Sequence, residues 1–223
     1  MTDKHPPTGS GPAPELMLFD LDGVLMDSLP VMRSAWETVR AELGVQIPFE
    51  SYAEHLGRPF ADILLLLGLD RIAGLAEAYG TAATRFSHLA QPFAGVGAAL
   101  REIAAMGCRL GVVTSKSFAR AVPMVDRLDA PFSIVRTPGK GRGKPAPDTL
   151  LLALVDAGTD PSNALYVGDM AVDQEAARRA GLRYAHVDWG YGSPEPEEPT
   201  PLILREPAEL VDLARTGLAK GSA

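Results

Sequence analysis

Short apolar runs recur along the chain and alternate with stretches of helical period. Leu16–Asp20 (LMLFD), Arg109–Thr114 (RLGVVT), Ser133–Arg136 (SIVR), Ala164–Gly168 (ALYVG) and Tyr184–Val187 (YAHV) predict strands, with Leu202–Leu204 as a short edge strand. Between them, apolar positions at helical spacing predict helices over Val96–Met106, Phe118–Leu128, Asp148–Ala157 and Val172–Ala180. Strands alternating with helices imply a Rossmann-like, doubly wound α/β core with a parallel sheet. Near-continuous apolar strands are what a sheet buried on both faces requires.

One stretch breaks the alternation. From about Leu29 to Gln91 the pattern is almost wholly helical, with Val31–Leu43, Phe60–Leu67 and Ile72–Leu89 as the expected helices. This predicts an inserted α-helical cap domain over residues 30–92, within a core made of 15–29 and 93–223. Pro92 and Gly95 suit the return hinge. Residues 1–14 (MTDKHPPTGSGPAP) lack the apolar stretch of a secretory signal and read as a disordered leader. Gly190–Pro201 (GYGSPEPEEPTP) reads as a polar, Pro-rich surface loop.

Composition narrows the classes further. The 223 residues are 46% hydrophobic and 22% charged, ordinary for a globular chain. No apolar run approaches the roughly 20 residues that cross a bilayer, so no membrane partner is expected. The net charge of −7 argues against a nucleic-acid surface, though a small phosphorylated substrate needs only local positive charge. Cys108 is the sole cysteine, which excludes an intrachain disulfide; it reads as a buried structural thiol and suits a reducing cytoplasm. The oligomeric expectation is a monomer or weak dimer.

In a parallel α/β sheet, ligands gather at the carboxyl ends of the strands. Four chemically loaded segments fall there: Asp20 and Asp22 after the first strand, Thr114, Ser115 and Lys116 after the second, Lys144 after the third, and Asp169 and Asp173 after the fourth. Asp20, Asp22 and Asp169 offer oxygens to a hard cation such as Mg²⁺, which keeps waters and substrate phosphate for the rest of its shell. Thr114 and Lys144 offer a hydroxyl donor and a point positive charge to a phosphoryl group. Backbone N–H groups after Asp20, Leu21 among them, complete the cradle.

These motifs carry a resemblance. DLDGV at 20–24, VVTS at 112–115, GKPAPD at 143–148 and VGDMAVD at 167–173 resemble, in order, the four motifs of the haloacid dehalogenase superfamily of phosphotransferases. The insert resembles the helical cap of the branch that includes phosphoglycolate phosphatase and β-phosphoglucomutase. The resemblance implies a phosphatase in which Asp20 is the nucleophile that forms an aspartyl phosphate and Asp22 the general acid/base. It implies that Thr114 and the Ser115 amide bind phosphate, and that Lys144 balances charge on Asp20 and the phosphate. Asp20, the Asp22 carbonyl, Asp169 and Asp173 would serve Mg²⁺. Dehalogenating and phosphonate-cleaving members lack Asp at the position of Asp22, so phosphate-ester chemistry is the better match. In related caps the loop matching EHLGRPF (Glu54–Phe60) contacts substrate, which makes Arg58 and then His55 specificity candidates. Ser51–Leu69 also resembles phosphatases of natural-product pathways, aminohydroxybenzoate-associated or alnumycin-type, and implies a sugar-phosphate-like moiety, alone or on a larger aglycone. The alternative activity is a sugar phosphomutase of the β-phosphoglucomutase type.

Other readings stand beside these. Asp27 and Ser28 precede Pro30 and an apolar helix, and are expected to cap it. Lys116 either touches substrate or faces solvent. GKGRGK (Gly139–Lys144) is one residue short of a P-loop, and Pro145 stands where a metal-binding hydroxyl belongs. GVGAAL (95–100) lacks the third glycine of a dinucleotide fingerprint. His186 is expected to be structural, and His5 and His88 have no evident partner. Loss of Asp20 or Asp22 would have favoured a non-catalytic binding protein on this fold, and neither is lost.

Overall fold

The computed structural model describes residues 13–139, 141–196 and 201–216. The expected leader falls almost wholly outside the described residues, as do His5, Lys140 and residues 197–200 of the Pro-rich loop. In chain order the elements are β1 (Leu16–Phe19), β2 (Met26–Asp27), α1 (Leu29–Leu43), α2 (Phe49–Ala53), α3 (Phe60–Leu66), α4 (Leu75–Arg85), β3 (Gln91–Pro92), α5 (Val96–Ala105), β4 (Arg109–Val113), α6 (Phe118–Val125), β5 (Phe132–Arg136), α7 (Asp148–Ala157), β6 (Ala164–Gly168), α8 (Ala171–Ala180), β7 (Arg183–Val187), β8 (Leu202–Leu204) and α9 (Ala208–Thr216).

Six strands form one parallel sheet in the order β5-β4-β1-β6-β7-β8. This is a doubly wound α/β sheet with β1 near its centre. Alternation along β1 sends Met17 and Phe19 to one face and Leu16 and Leu18 to the other. The first face packs against α5, α6 and α9 through residues such as Leu100, Val125 and Leu210. The second packs against α7 and α8 through Leu150, Leu154 and Ala177. All four residues of β1 and all five of β6 are buried, so their carboxyl ends are held rigidly where the loaded loops begin.

The insert leaves and rejoins the core through a small antiparallel ribbon in which Met26 pairs with Pro92 and Asp27 with Gln91. Between these strands, α1 packs on α4 around an aromatic interior. Trp36 stacks on Tyr52 at 4.5 Å and Phe60 on Tyr79 at 4.1 Å, and the Trp36 Nε1–H donates to the Ile47 carbonyl at 3.0 Å. This interior is continuous with the α5/α6 face of the core.

Several boundaries differ from the sequence reading. The helix expected over Ile72–Leu89 starts only at Leu75, because Gly74 adopts φ +77° before it, and gives way to a 3₁₀ turn at Ser87–Leu89. The helix expected to reach Leu128 ends at Val125, followed by a 3₁₀ turn over Asp126–Leu128. The short α2 and the two-residue strands β2 and β3 are additions, as is α9. The last buries Leu210, Val211, Leu213 and Ala214, an amphipathic spacing present in the chain but unassigned by the reading above.

Candidate active site

The carboxyl edge of the sheet gathers the loaded residues. Lys144, buried in the loop between β5 and α7, places its Nζ 3.0 Å from Asp20 Oδ1 and 2.6 Å from Asp173 Oδ1, and donates to the Tyr166 hydroxyl at 2.9 Å. Tyr166, inside β6, donates in turn to Asp173 Oδ1 at 2.9 Å. The other Asp173 oxygen accepts the N–H of Met170 at 3.1 Å and of Asp169 at 3.4 Å, which closes the start of α8. Asp173 is therefore engaged on both oxygens by groups that fix Lys144 and the β6–α8 turn.

Asp20, Asp169 and Asp173 are buried, and one oxygen of each lies within 4.8 Å of the others. Asp169 Oδ2 accepts the Tyr191 backbone N–H at 2.8 Å, whereas its Oδ1 has no hydrogen-bond partner among the described residues. A buried carboxylate oxygen without a donor is costly unless a cation completes it. The all-oxygen donor set and this orphaned oxygen fit a hard divalent ion such as Mg²⁺. Gly23, at φ +83°, makes the close approach possible: a Cβ there would lie 2.1 Å from Asp169 Oδ2.

Burial also sets the electrostatics. It pushes the Asp20 carboxyl up to about 7; Lys144 opposes the shift, while Asp173 and Asp22 reinforce it. Burial raises Asp169 well above the usual carboxylate range, with Asp173 and Asp20 adding to the effect. For Lys144 burial alone would favour the neutral amine, but Asp173 and Asp20 outweigh it and raise its pKa, so it stays charged.

Asp22 Oδ1 accepts the Ser28 hydroxyl and lies 3.1 Å from Lys116 Nζ. Lys116 thus stands in an ion pair with Asp22, only 8% exposed at its side chain, rather than in solvent. Ser28 does not cap α1 with its side chain, contrary to expectation, because its hydroxyl is spent on Asp22. Asp27 does accept the Leu29 N–H at 3.3 Å, but the Tyr191 hydroxyl takes the Ser28 and Leu29 N–H groups at 2.7 and 3.0 Å. Thr114 accepts the Lys116 N–H at 3.1 Å and keeps its own proton available as a donor. The Ser115 hydroxyl donates to the Gly57 carbonyl of the insert at 2.6 Å.

A cavity of about 50 Å³ lies between these groups and the insert. Arg58, Tyr52, Phe60 and Tyr79 of the insert line it, with Arg120 of α6. His55, the second specificity candidate, does not line it; Leu56 and Gly57 do. Close apposition continues at Gly143, where a Cβ would lie 1.9 Å from Pro59 Cγ. Away from the site, Cys108 is buried and its thiol is pushed up to about 11 by that burial, as a structural thiol requires. His186 is buried in β7 with Nδ1 3.1 Å from the Tyr184 hydroxyl.

Ser28, Arg120, Tyr166 and Tyr191 are absent from the sequence-derived candidates. Tyr166 had a signal: a hydroxyl inside an otherwise apolar, fully buried strand must find a partner. Tyr191 follows the end of β7, where the strand-end rule would have placed it among the candidates. Arg120 lies just beyond Lys116 at the start of α6, and Ser28 stands beside the acid it contacts only because the chain turns back after Gly23.

Comparison with known proteins places the chain. The family described as haloacid dehalogenase-like hydrolase matches residues 17–187. An N-acetylmuramic acid 6-phosphate phosphatase of Pseudomonas aeruginosa is 31% identical over 214 residues, covering 88% of this chain and 93% of its own. A phosphoglycolate phosphatase of Pseudomonas savastanoi pv. phaseolicola is 31% identical over 219 residues, covering 91% and 80%. Among solved structures, a haloacid dehalogenase-like family hydrolase from Streptococcus pneumoniae superposes with a TM-score of 0.75 at 24% identity, over 88% of this chain and 96% of that one.

Proposed function

The chain belongs to the haloacid dehalogenase-like hydrolase family, and from that membership we propose a Mg²⁺-dependent phosphatase that hydrolyses a small phosphorylated metabolite through a phosphorylated Asp20. Its class is that of the phosphoric monoester hydrolases, as for the relatives named above. The observation that carries the mechanism is the Lys144–Asp20 pair at 3.0 Å, buried at the sheet edge with Asp22, Thr114 and Asp169 around it.

In this mechanism the Asp20 carboxylate attacks phosphorus while the bond to the ester oxygen breaks. Asp22 gives its proton to the departing oxygen, so the alcohol leaves neutral. Water then attacks the phosphorus of the aspartyl phosphate, Asp22 takes a proton from that water, and phosphate leaves with Asp20 restored. The Thr114 hydroxyl and the Leu21 and Ser115 amides hold the phosphoryl oxygens, and Lys144 balances their charge. Asp20, the Asp22 carbonyl and Asp169 would hold Mg²⁺, with Asp173 steadying the cluster; the ion when bound supplies charge neutralisation at the phosphoryl oxygens. The insert covers the site, with Ser115 joined to Gly57, and supports a cap that excludes water and selects the leaving group. No helix among the described residues is long and apolar enough to cross a membrane. The natural-product assignment draws no support from the relatives above.

Phosphate release from an aryl phosphate and from a panel of phosphorylated metabolites, with and without Mg²⁺, tests the proposal. The expected result is Mg²⁺-dependent release that falls by on the order of a thousandfold or more in Asp20→Asn. Equal rates in the two proteins would remove Asp20 from the chemistry. Isomerisation of a sugar phosphate without net phosphate release would favour the mutase instead.

A further inference from the structure

Resting on the phosphatase reading, we propose that Tyr166 is a positioning residue that acts through Lys144: its hydroxyl fixes the lysine ammonium against the Asp20 nucleophile. Tyr166 lies in the fully buried strand β6, on the face packed with Leu16, Leu18, Val113 and Leu150. Phenylalanine would fill that face equally well, and a buried hydroxyl is costly unless it is bonded. This one makes two bonds. It accepts from Lys144 Nζ at 2.9 Å and gives its proton to Asp173 Oδ1 at 2.9 Å. Nζ is 5.6 Å from the ring centroid, so the ammonium meets the hydroxyl rather than the face of the ring.

Lys144 needs such a fixture. Its ammonium ends a flexible four-carbon stem, and that stem starts from a loop rather than from a strand or helix. An ammonium has three N–H groups. Three oxygens lie within reach of this one: Asp173 Oδ1 at 2.6 Å, the Tyr166 hydroxyl at 2.9 Å and Asp20 Oδ1 at 3.0 Å. Two carboxylates alone would let the charge slide between them, and Asp173 is the nearer. The hydroxyl is the third point of attachment, and it is neutral. It ties both the ammonium and Asp173 Oδ1 to a rigid strand, while Asp173 Oδ2 is tied to the start of α8. Without the hydroxyl the ammonium settles towards Asp173 and away from Asp20. Such a shift weakens the transition state more than it weakens substrate binding, because Thr114 and the backbone amides that hold phosphate are untouched.

Steady-state kinetics of Tyr166→Phe on an aryl phosphate, at several Mg²⁺ concentrations, test this. The expected result is a kcat lowered by about tenfold or more, with KM changed by less than about twofold. The loss should persist at saturating Mg²⁺. An unchanged kcat, or a loss expressed in KM, would overturn the proposal. A loss made good by raising Mg²⁺ would place the effect in the acidic cluster and overturn it too. Lys144→Met supplies a second test. Adding Tyr166→Phe to it should change the residual kcat by less than about twofold, because the group that the hydroxyl steers is gone. The same tenfold loss without the lysine would show that Tyr166 acts by another route. Should Lys144→Met fail to fold, the kcat, KM and Mg²⁺ readouts of Tyr166→Phe decide alone. Phosphate release by the parent that Tyr166→Phe leaves intact would defeat this inference alone, whereas no release by the parent from any phosphate ester would defeat the phosphatase reading beneath it.

Discussion

Asp20 is buried beside two further carboxylates, and this shapes its titration. Its carboxyl is raised to about 7 in the folded protein, from 3.8 in the unfolded chain, chiefly by burial. Between about pH 4 and pH 7 the unfolded chain has released this proton while the folded protein keeps it. The folded state then binds more protons, so stability falls as pH rises through that window, at a slope of up to about 1.4 kcal/mol per pH unit. In protein stripped of divalent metal, urea titrations from pH 4 to 8 should show this fall, and Asp20→Asn should make it shallower, with the raised carboxyl of Asp169 supplying the remainder. An identical slope in the variant would place the titration elsewhere. At this scale the sequence was most informative where a residue's type and its position at a strand end agree, as for Asp20, Asp22, Thr114, Lys144 and Asp169. Tyr166 escaped because its hydroxyl lies below the sheet edge, and Arg120 because only the fold brings it against Tyr79, more than forty positions earlier on the insert.

The loop after β7 joins elements that the sequence keeps far apart. The Tyr191 backbone N–H holds Asp169, while its hydroxyl accepts the Ser28 and Leu29 N–H groups at the start of α1. Nearby, the Trp189 Nε1–H donates to the Val24 carbonyl at 3.1 Å. The loop therefore straps the first helix of the insert to the acidic cluster, and it supplies the cap that Ser28 gives up. Tyr191→Phe removes the hydroxyl but keeps the backbone bond to Asp169. It should lower stability by about 1–2 kcal/mol, read as a lower denaturation midpoint with an unchanged m-value. An unchanged midpoint would show that water serves the α1 terminus equally well. No periodicity could have announced this strap, because it is built from single residues of an irregular loop. The ribbon of β2 and β3 escaped for a related reason: two-residue strands are too short to show a period.

Across the whole molecule, the parallel sheet was legible because its central strands are apolar on both faces, and the helical insert because its period changes at Leu29. Its interior was not legible, since the stacking of Trp36, Tyr52, Phe60 and Tyr79 depends on how four short elements fold together. The architecture places a rigid edge of acids, one hydroxyl and one buried lysine beneath a wall of aromatic rings and arginines. In the proposed reaction Asp20 carries the phosphoryl group between substrate and water. Rapid acid quench of a single turnover with phosphoryl-labelled substrate, followed by peptide mapping, tests it most directly. The expected result is a transient label, released by hydroxylamine as an acyl phosphate is, on the peptide containing Asp20 and absent from Asp20→Asn. Turnover with no labelled protein at any quench time, or a label on another residue that persists in Asp20→Asn, would contradict it.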